Sequence, residues 1–343
     1  MLKLDRNWTR RATIGGAAAS VGAGLSGIGW ETRASEPPPE VTRISFLHDQ
    51  EIPALCWAPQ YIAIELLKQE GFTEVVLGKW LHGQNESQML ASGAVDFAPA
   101  VSTDLASAID RGLDVKVLGG LHPGCIEMYA QKRIRRLKDL KGARVLSTHE
   151  GGLEFLFISS MLSYVGLDPV KDVNWVFEPK YSKWKSLFVA DKVDLVNAFA
   201  PFTYQLEETG VGHVLLDTTM DDPWRNFFCC MIGARGEFVR KYPIATKRAL
   251  RALAKAQQFC AHDQENAAKK LVELGATKRL DHAKRALREL NYSAWRVYDP
   301  AATLRFFSLR LREVGMVKSS PTDIIKRGTD FRFLNELRAE LKM

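Results

Sequence analysis

The chain has 343 residues, which is long for a single hydrophobic core and suits two domains of ordinary size. Hydrophobic residues make up 46% of the sequence and charged residues 25%, as in an average globular protein. The formal charge is +7, but no basic stripe interleaved with aromatic residues is present, so the sequence does not support nucleic acid as a partner.

The N-terminus has the pattern of an export signal. Arg10 and Arg11 precede a weakly apolar run rich in alanine and glycine, and small residues near Ala34 would suit cleavage. This order is typical of a twin-arginine signal peptide, here residues 1–34. A membrane anchor is the alternative, but the run is glycine-rich and shorter than the ~20 apolar residues of a spanning helix. We therefore expect a periplasmic protein with a proline-rich tether at residues 35–40.

Short apolar strands alternate with amphipathic helices from residue 41 to about residue 200. The predicted strands are VTRISFLH, TEVVLGKW, VDFAPAV, VKVLGGL, ARVLST, VNWVF and VDLVNAFA. The predicted helices are APQYIAIELLKQEG, NESQMLASG, DLASAIDRG, GLEFLFISSMLSYVG and SKWKSLFVAD. This alternation predicts an α/β fold with parallel-rich sheets covered by helices on both faces. From Glu237 onwards, alanine, leucine and basic residues at helical spacing predict a helical C-terminal tail.

The cysteines give no disulfide pattern. The five residues are Cys56, Cys125, Cys229, Cys230 and Cys260, irregularly spaced and without a CxxC pair. An oxidising compartment would permit a bridge among them, although the odd number leaves at least one thiol free. We expect most of them to be buried as small apolar side chains. Because two adjacent strand residues point to opposite faces, we expect one of Cys229 and Cys230 to lie in the core.

The stretch from Ser147 to Gly152 separates a predicted strand from a predicted helix. Glycine lets the main chain come close to a ligand, and the free N–H groups of a helix N-terminus favour an acceptor there. A plain strand-to-helix connection is the alternative, and no HxxE or HExxH motif completes a metal site around His149. The turn is favoured as a ligand-binding turn, with Thr148, His149, Glu150, Gly151 and Gly152 as candidate residues.

The residues near the ends of other predicted strands are further candidates, because ligands of open parallel sheets bind beyond the carboxyl ends of strands. These candidates are His48, Asp49, Trp57, Ser102, Thr103, Asp104, Gly124, Cys125, Asn197, Phe199, Trp224 and Arg225. The three residues at 102–104 fit a purely structural helix cap equally well. The aromatic residues fit the core at least as well as a cleft. We expect no metal ion, no cofactor and no catalytic residue.

Six stretches recur in an order and spacing that belong to a known family. They are ASGAVDFAPA, GLDVKVLGGL, RLKDLKGARV, VGLDPVKDV, ADKVDLVNAFAPF and GEFVRKYPIATKRALRALAKA. Together they resemble the ABC-transporter solute-binding proteins of the nitrate, sulfonate and taurine type, a family that includes thiamine-precursor binders. The resemblance implies a two-lobe periplasmic-binding-protein fold of type II, with two crossover strands. It implies a first lobe at residues 41–129 and 229–343 and a second lobe at residues 130–228.

The resemblance also implies a function. It implies the periplasmic component of an ABC importer, which captures a small organic ligand between the lobes and delivers it to a membrane permease. The acidic and aromatic balance of the candidate residues favours a heterocycle or an amine over a sulfonate-type compound. The expected partners are therefore the small-molecule ligand and the permease, with no nucleic acid, and the protein is expected to be a monomer.

The alternative is an enzyme of the same fold, a pyrimidine (thiamine-precursor) synthase. The stretches VDFAPAVSTDLASA and RNFFCCMIGARGEFV also resemble that enzyme. There, a lysine that carries pyridoxal phosphate and a histidine four residues on follow the same strand. The matching positions here are Ala100 and Asp104, and alanine cannot form a Schiff base. The residues at these positions therefore favour a binding protein that is not an enzyme.

Overall fold

The computed structural model describes residues 36–48, 54–81 and 83–341. Within these residues, two five-stranded sheets are flanked by helices, as expected for the predicted fold class. The segment predicted to be a signal peptide, residues 1–34, lies outside the described residues. Among the helices that are described, none combines the length and the apolar character that crossing a bilayer requires.

The first sheet combines four strands from the N-terminal part of the chain with one strand that returns much later. Its strands are β1 (Arg43–His48), β2 (Glu74–Lys79), β3 (Phe97–Val101), β4 (Val115–Pro123) and β10 (Phe228–Arg235). Their order is β2-β1-β3-β10-β4. Strand β1 is parallel to β2 and β3, whereas β10 is antiparallel to both β3 and β4.

The second sheet repeats this plan. Its strands are β5 (Glu127–Ala130), β6 (Arg144–Ser147), β7 (Asn174–Phe177), β8 (Leu195–Ala198) and β9 (His213–Asp217), in the order β7-β6-β8-β5-β9. Strand β6 is parallel to β7 and β8, and β5 is antiparallel to β8 and β9. The chain therefore passes to the second sheet between β4 and β5 and returns between β9 and β10. These are the two crossovers that the fold class requires.

Helices cover the sheets and fill the C-terminal part of the chain. Six helices connect the strands: α1 (Ala58–Gln69), α2 (Glu86–Ala91), α3 (Ser102–Asp110), α4 (Leu153–Tyr164), α5 (Trp184–Val189) and α6 (Phe202–Glu207). Seven follow β10: α7 (Gly236–Lys241), α8 (Pro243–His262), α9 (Gln264–Glu273), α10 (Leu280–Glu289), α11 (Pro300–Glu313), α12 (Pro321–Gly328) and α13 (Arg332–Glu340). The predicted helical C-terminal region is confirmed. It is part of the folded body, since α8 packs on α1 and α11 packs on both α3 and α4.

The burial of the strands explains why their apolar runs could be predicted from the sequence. All five residues of β3 are buried, which is typical of a central strand that is covered on both faces. In the second sheet, Trp184 and Phe188 of α5 form a buried cluster with Leu146 of β6 and Val196 of β8. Aromatic side chains bury the largest apolar areas, so α5 is held to the sheet although it has only six residues.

Strand β9 and the helices α6, α10 and α12 were not predicted from the sequence. Strand β9 is half-exposed along most of its length, and helix α12 buries only Ile324 and Gly328. The buried residues of α10 are His282, Ala283, Ala286 and Leu287, so its buried face carries a single large apolar side chain. Strands β5 and β10 begin within a few residues of the predicted lobe boundaries. The boundaries themselves stay a prediction.

Candidate functional site

A cleft with about 550 Å³ of empty space is lined from both halves of the fold. Its lining residues are Ala54, Cys56, Trp57, Trp80, Glu86, Val101, Cys125, Ile126, Leu153, Tyr181, Phe199 and Cys230. Five of them directly follow a strand or begin a helix, at the sheet edges where ligands of such folds bind: Trp80, Glu86, Leu153, Tyr181 and Phe199. Among the described lining residues there is neither lysine nor arginine.

Aromatic rings form the walls of the cleft. Trp57 closes a short 3-10 helix before α1, and its ring stacks on that of Trp80 with centroids 6.4 Å apart and an angle of 18° between the planes. From the second half, Tyr181 packs its ring on Trp184 at 4.5 Å, and Phe199 follows β8. Flat apolar surfaces of this kind suit a planar organic ligand.

Glu86 is the only acidic residue among the described lining residues. It is the first residue of α2, its side chain is 2% exposed, and its Oε2 atom has no hydrogen-bond partner within the described chain. Burial, together with the nearby charge of Asp104, raises the pKa of Glu86 well above 4.5. An unpartnered carboxyl group at this depth is costly, and a ligand that donates to it or carries positive charge would remove that cost.

Asp104 is buried and fully engaged by the protein. Its carboxylate accepts hydrogen bonds from the backbone N of Ser87 at 3.0 Å, from the Ser87 hydroxyl at 2.7 Å and from Asn85 Nδ2 at 3.1 Å. Asp104 therefore caps the N-terminus of α2 from the neighbouring helix α3. Ser102 donates to the backbone oxygen of Cys229 at 3.0 Å, and Thr103 is buried as well. The hydrogen bonds of Asp104 and Ser102 thus join parts of the chain to one another. None of Ser102, Thr103 and Asp104 is among the described lining residues.

The turn between β6 and α4 binds its own chain. The Thr148 hydroxyl donates to Glu154 Oε2 at 2.9 Å, and a Cβ on Gly152 would lie only 2.8 Å from Thr148 Oγ1. Asn85 Nδ2 donates to the Gly151 carbonyl at 3.0 Å and thereby joins the two halves of the fold. His149 is half-buried and Glu150 is exposed. Only the next residue, Leu153, is among the lining residues, so ligand contact by the turn itself stays a prediction.

Of the other predicted site residues, Trp57, Cys125 and Phe199 line the cleft. His48 ends β1, and its ring meets that of Tyr61 edge-on at 5.8 Å. Asp49 lies outside the described residues. A ligand contact by His48 or Asp49 stays a prediction.

The remaining predicted residues lie outside the cleft lining. Gly124 packs so closely on Thr219 that a Cβ would lie 2.7 Å from its Cα. Asn197 is buried, and Trp224 packs its ring edge-on against Tyr164 at 5.2 Å. Arg225 is exposed and pairs with Asp222 at 2.8 Å.

Three thiols lie together in the cleft. The ligand atoms of Cys56, Cys125, Cys230 and the buried His122 all lie within 4.8 Å of one another. Cys125 also donates to Cys229 Sγ at 3.3 Å, with no bond between the two sulfurs. Burial raises the pKa of the Cys125 and Cys229 thiols, whereas the neighbouring thiols hold the pKa of Cys230 well below 9.0.

Cys229 and Cys230 are adjacent residues of β10, and one of the two was expected to lie in the core. Both are buried, and both lie close to Cys125. The register of β10 against β4 shifts on both sides of Cys230, and such irregularities break the alternation of a regular strand.

The residues that sequence reasoning missed fall into two groups. Trp80 follows β2 and Tyr181 follows β7 at a distance of a few residues, so the strand-end rule could have found both. Glu86 begins the helix that follows β2, so the same strand-end rule could have found it. Cys56, His122 and Cys230 lie far apart in the sequence, and no local motif joins them.

Solved structures share this fold. The periplasmic nitrate-binding protein NrtA from Synechocystis PCC 6803 is 18% identical, with a TM-score of 0.72 over 89% of this chain and 90% of that chain. The aliphatic sulphonate-binding protein SsuA from Escherichia coli is 17% identical, with a TM-score of 0.62 over 84% of this chain and 92% of that chain. SsuA from Xanthomonas axonopodis pv. citri, bound to MOPS, is 17% identical, with a TM-score of 0.61 over 83% of this chain and 97% of that chain.

No protein with a curated description matches the sequence. The profile of the NMT1-like family, in contrast, matches residues 50–274, which span most of both sheets and the start of the C-terminal helices. This match confirms the resemblance that the sequence stretches indicated. The chain belongs to the NMT1-like family.

Proposed function

We propose that this protein is the solute-binding component of an ABC importer, which captures a small organic cation and delivers it unchanged to a membrane permease. One observation carries the proposal: the Oε2 atom of Glu86 is buried without a hydrogen-bond partner within the described chain, and Glu86 lines the cleft together with Trp57, Trp80 and Tyr181. The named relatives bind nitrate and sulfonates. Anions of that kind are usually held by basic side chains or helix N-termini, and the described lining has no basic residue.

The charge around the cleft favours a cationic ligand. Besides Glu86, the buried carboxyl groups of Asp104 and Glu154 lie close enough to raise the pKa of Glu86. A protonated amine or a cationic heterocycle would neutralise this cluster and could stack on Trp57 or Trp80. We therefore expect a planar heterocycle with an amino or ring-nitrogen cation.

Capture without chemistry fits the residues of the cleft better than catalysis. A synthase that uses pyridoxal phosphate needs a lysine amine, and the matching position holds Ala100, which is buried within β3. Binding energy would instead select the form in which the two halves close over the ligand. The hydrogen bond from Asn85 to Gly151 is one contact that such closure would use.

A thermal-shift screen tests the ligand class. Purified protein is heated with amines, pyrimidines and other heterocycles, aromatic acids, sulfonates, nitrate and sulfate. A ligand present at 100 times its dissociation constant adds about 2.7 kcal/mol of stability, which raises the unfolding temperature by several degrees. We expect the largest shift from a cationic heterocycle. A larger shift with nitrate or a sulfonate contradicts the ligand class, and no shift with any compound contradicts solute binding.

The proposed location is the periplasm, reached by the twin-arginine route, and the proposed state is a monomer. We expect Arg10→Lys combined with Arg11→Lys to leave uncleaved precursor in the cytoplasm, because the export machinery reads the arginine pair. Arg6→Lys is the matched control, since it changes an arginine outside the pair and should leave export intact. Cell fractionation and immunoblotting measure both. Unchanged export of the double variant contradicts the route.

A further inference from the structure

The floor of the cleft holds a second feature, which goes beyond solute binding. Cys56 comes from the 3-10 helix before α1, His122 from β4, Cys125 from the first crossover and Cys230 from β10. All four side chains are buried, and their ligand atoms lie within 4.8 Å of one another. Side chains from four separate parts of the fold therefore converge on one point.

His122 has its metal-binding nitrogen ready. Its Nδ1 atom lies 3.1 Å from the carbonyl oxygen of Gly124, and a carbonyl oxygen can only accept. Nδ1 therefore carries the ring proton, and Nε2 keeps its lone pair. Nε2 is buried and has no hydrogen-bond partner within the described part of the chain. Histidine ligands of metals typically donate their other ring nitrogen to a backbone carbonyl in this way.

The geometry points to a Zn²⁺ site formed by Cys56, His122, Cys125 and Cys230. Three sulfurs and one imidazole nitrogen are a closed tetrahedral set that zinc favours, and no carboxylate or water position is needed. Sulfurs bound to zinc at ~2.3 Å lie roughly 3.8 Å apart in a tetrahedron. Side-chain rotations that move the ligand atoms by about 1 Å would therefore bring the four atoms to zinc-binding distances. Zinc binding displaces the thiol protons, one from each cysteine that is still protonated.

The site would fix the first crossover. Cys125 lies in the crossover itself and takes a backbone φ of 107°, which is unusual for a residue other than glycine. A zinc ion would tie this residue to β10, to β4 and to the start of α1. Cys229 is not part of the ligand set. Its sulfur instead accepts a hydrogen bond from the Cys125 thiol at 3.3 Å.

The test measures zinc in the folded, full-length mature protein. The protein is reduced, stripped with a chelator, given Zn²⁺ and desalted before elemental analysis. We expect the parent protein to keep about one zinc per chain, and Cys230→Ala and Cys56→Ala to keep less than about a tenth. Cys260→Ala is the matched control, because Cys260 is buried in α8 outside the cluster and its loss should leave zinc content unchanged. Co²⁺ in place of Zn²⁺ should give sulfur-to-cobalt charge-transfer bands in the parent and control only.

Each other outcome overturns the site. Zinc that binds the parent, Cys230→Ala and Cys260→Ala alike is adventitious. A parent protein that keeps no zinc after the addition contradicts the site as well. Unfolding curves of all variants show whether a loss of zinc reflects misfolding. Cys56→Ala and Cys230→Ala change residues of different elements. If only one of the two variants folds, its zinc content alone decides the test.

Discussion

Replacing Glu86 with glutamine should weaken binding of the cationic ligand by about 100-fold or more, because removing one partner of a buried charge pair costs about 3–5 kcal/mol. The unfolding temperature of the ligand-free protein should not fall, since the carboxyl oxygen that is lost has no partner in the described structure. Titration calorimetry measures the affinity. The comparison variant is Glu150→Gln, which changes an exposed glutamate of the predicted ligand turn, outside the described cleft lining, and should cost less affinity than Glu86→Gln.

The same residue should give binding a pH dependence of known sign. Burial raises the pKa of Glu86 above 4.5, so the ligand-free cleft favours the protonated carboxyl group. A cation prefers the ionised form, so its binding releases a proton and tightens as the pH rises from 4.5 through the raised pKa. The Gln variant should lose this dependence. Equal affinity of Glu86→Gln and the parent at every pH would contradict the role of Glu86, and a larger loss from Glu150→Gln than from Glu86→Gln would move the site to the turn.

Replacing Asp104 with alanine should lower the free energy of unfolding by about 3 kcal/mol, because it leaves several buried donors at the start of α2 without an acceptor. Those donors are the backbone N and hydroxyl of Ser87 and the side chain of Asn85. Asp104 is not among the described lining residues, although its charge helps to raise the pKa of Glu86. Urea unfolding of the ligand-free protein measures the change.

Asp281→Ala is the contrasting variant for this experiment. Asp281 also accepts two hydrogen bonds from one partner, Arg279, but its side chain is 64% exposed. Exposed ion pairs contribute little, so this change should cost much less than the loss of Asp104. If the two variants lose equal stability, Asp104 does not act as a buried cap and its place in the ligand site would need to be reconsidered.

Much of the fold could be predicted because its strands alternate with helices. Strand β3 and its neighbours read as apolar runs between amphipathic helices, and that order is enough for a sheet covered on both faces. Strand β9 and helix α12 were not predicted, because β9 is half-exposed along most of its length and α12 buries only Ile324 and Gly328. In such segments the chain's tertiary contacts decide the structure, and the local pattern carries little information.

The candidate site was less accessible to sequence reasoning. Three of the predicted residues, Trp57, Cys125 and Phe199, line the cleft, and their contact with a ligand stays a prediction. Asp104 shows the limit of this rule, because the same carboxylate fits a ligand contact and a cap, and only the positions of Asn85 and Ser87 decide between them. The contacts among Cys56, Cys125 and Cys230 join segments that are distant in the sequence. They arise because the crossovers bring these segments together, so the spacing of the cysteines along the chain does not predict them.

The central claim is that the protein captures an organic solute and releases it unaltered. The most direct measurement is mass spectrometry of the ligand recovered from the purified protein after prolonged incubation with the compound that gives the largest thermal shift. We expect about one equivalent of ligand per chain, with an unchanged mass, because the proposed site is one cleft that encloses one small molecule. Recovery of a chemically altered ligand, or a pyridoxal adduct on any lysine of the chain, would contradict the account.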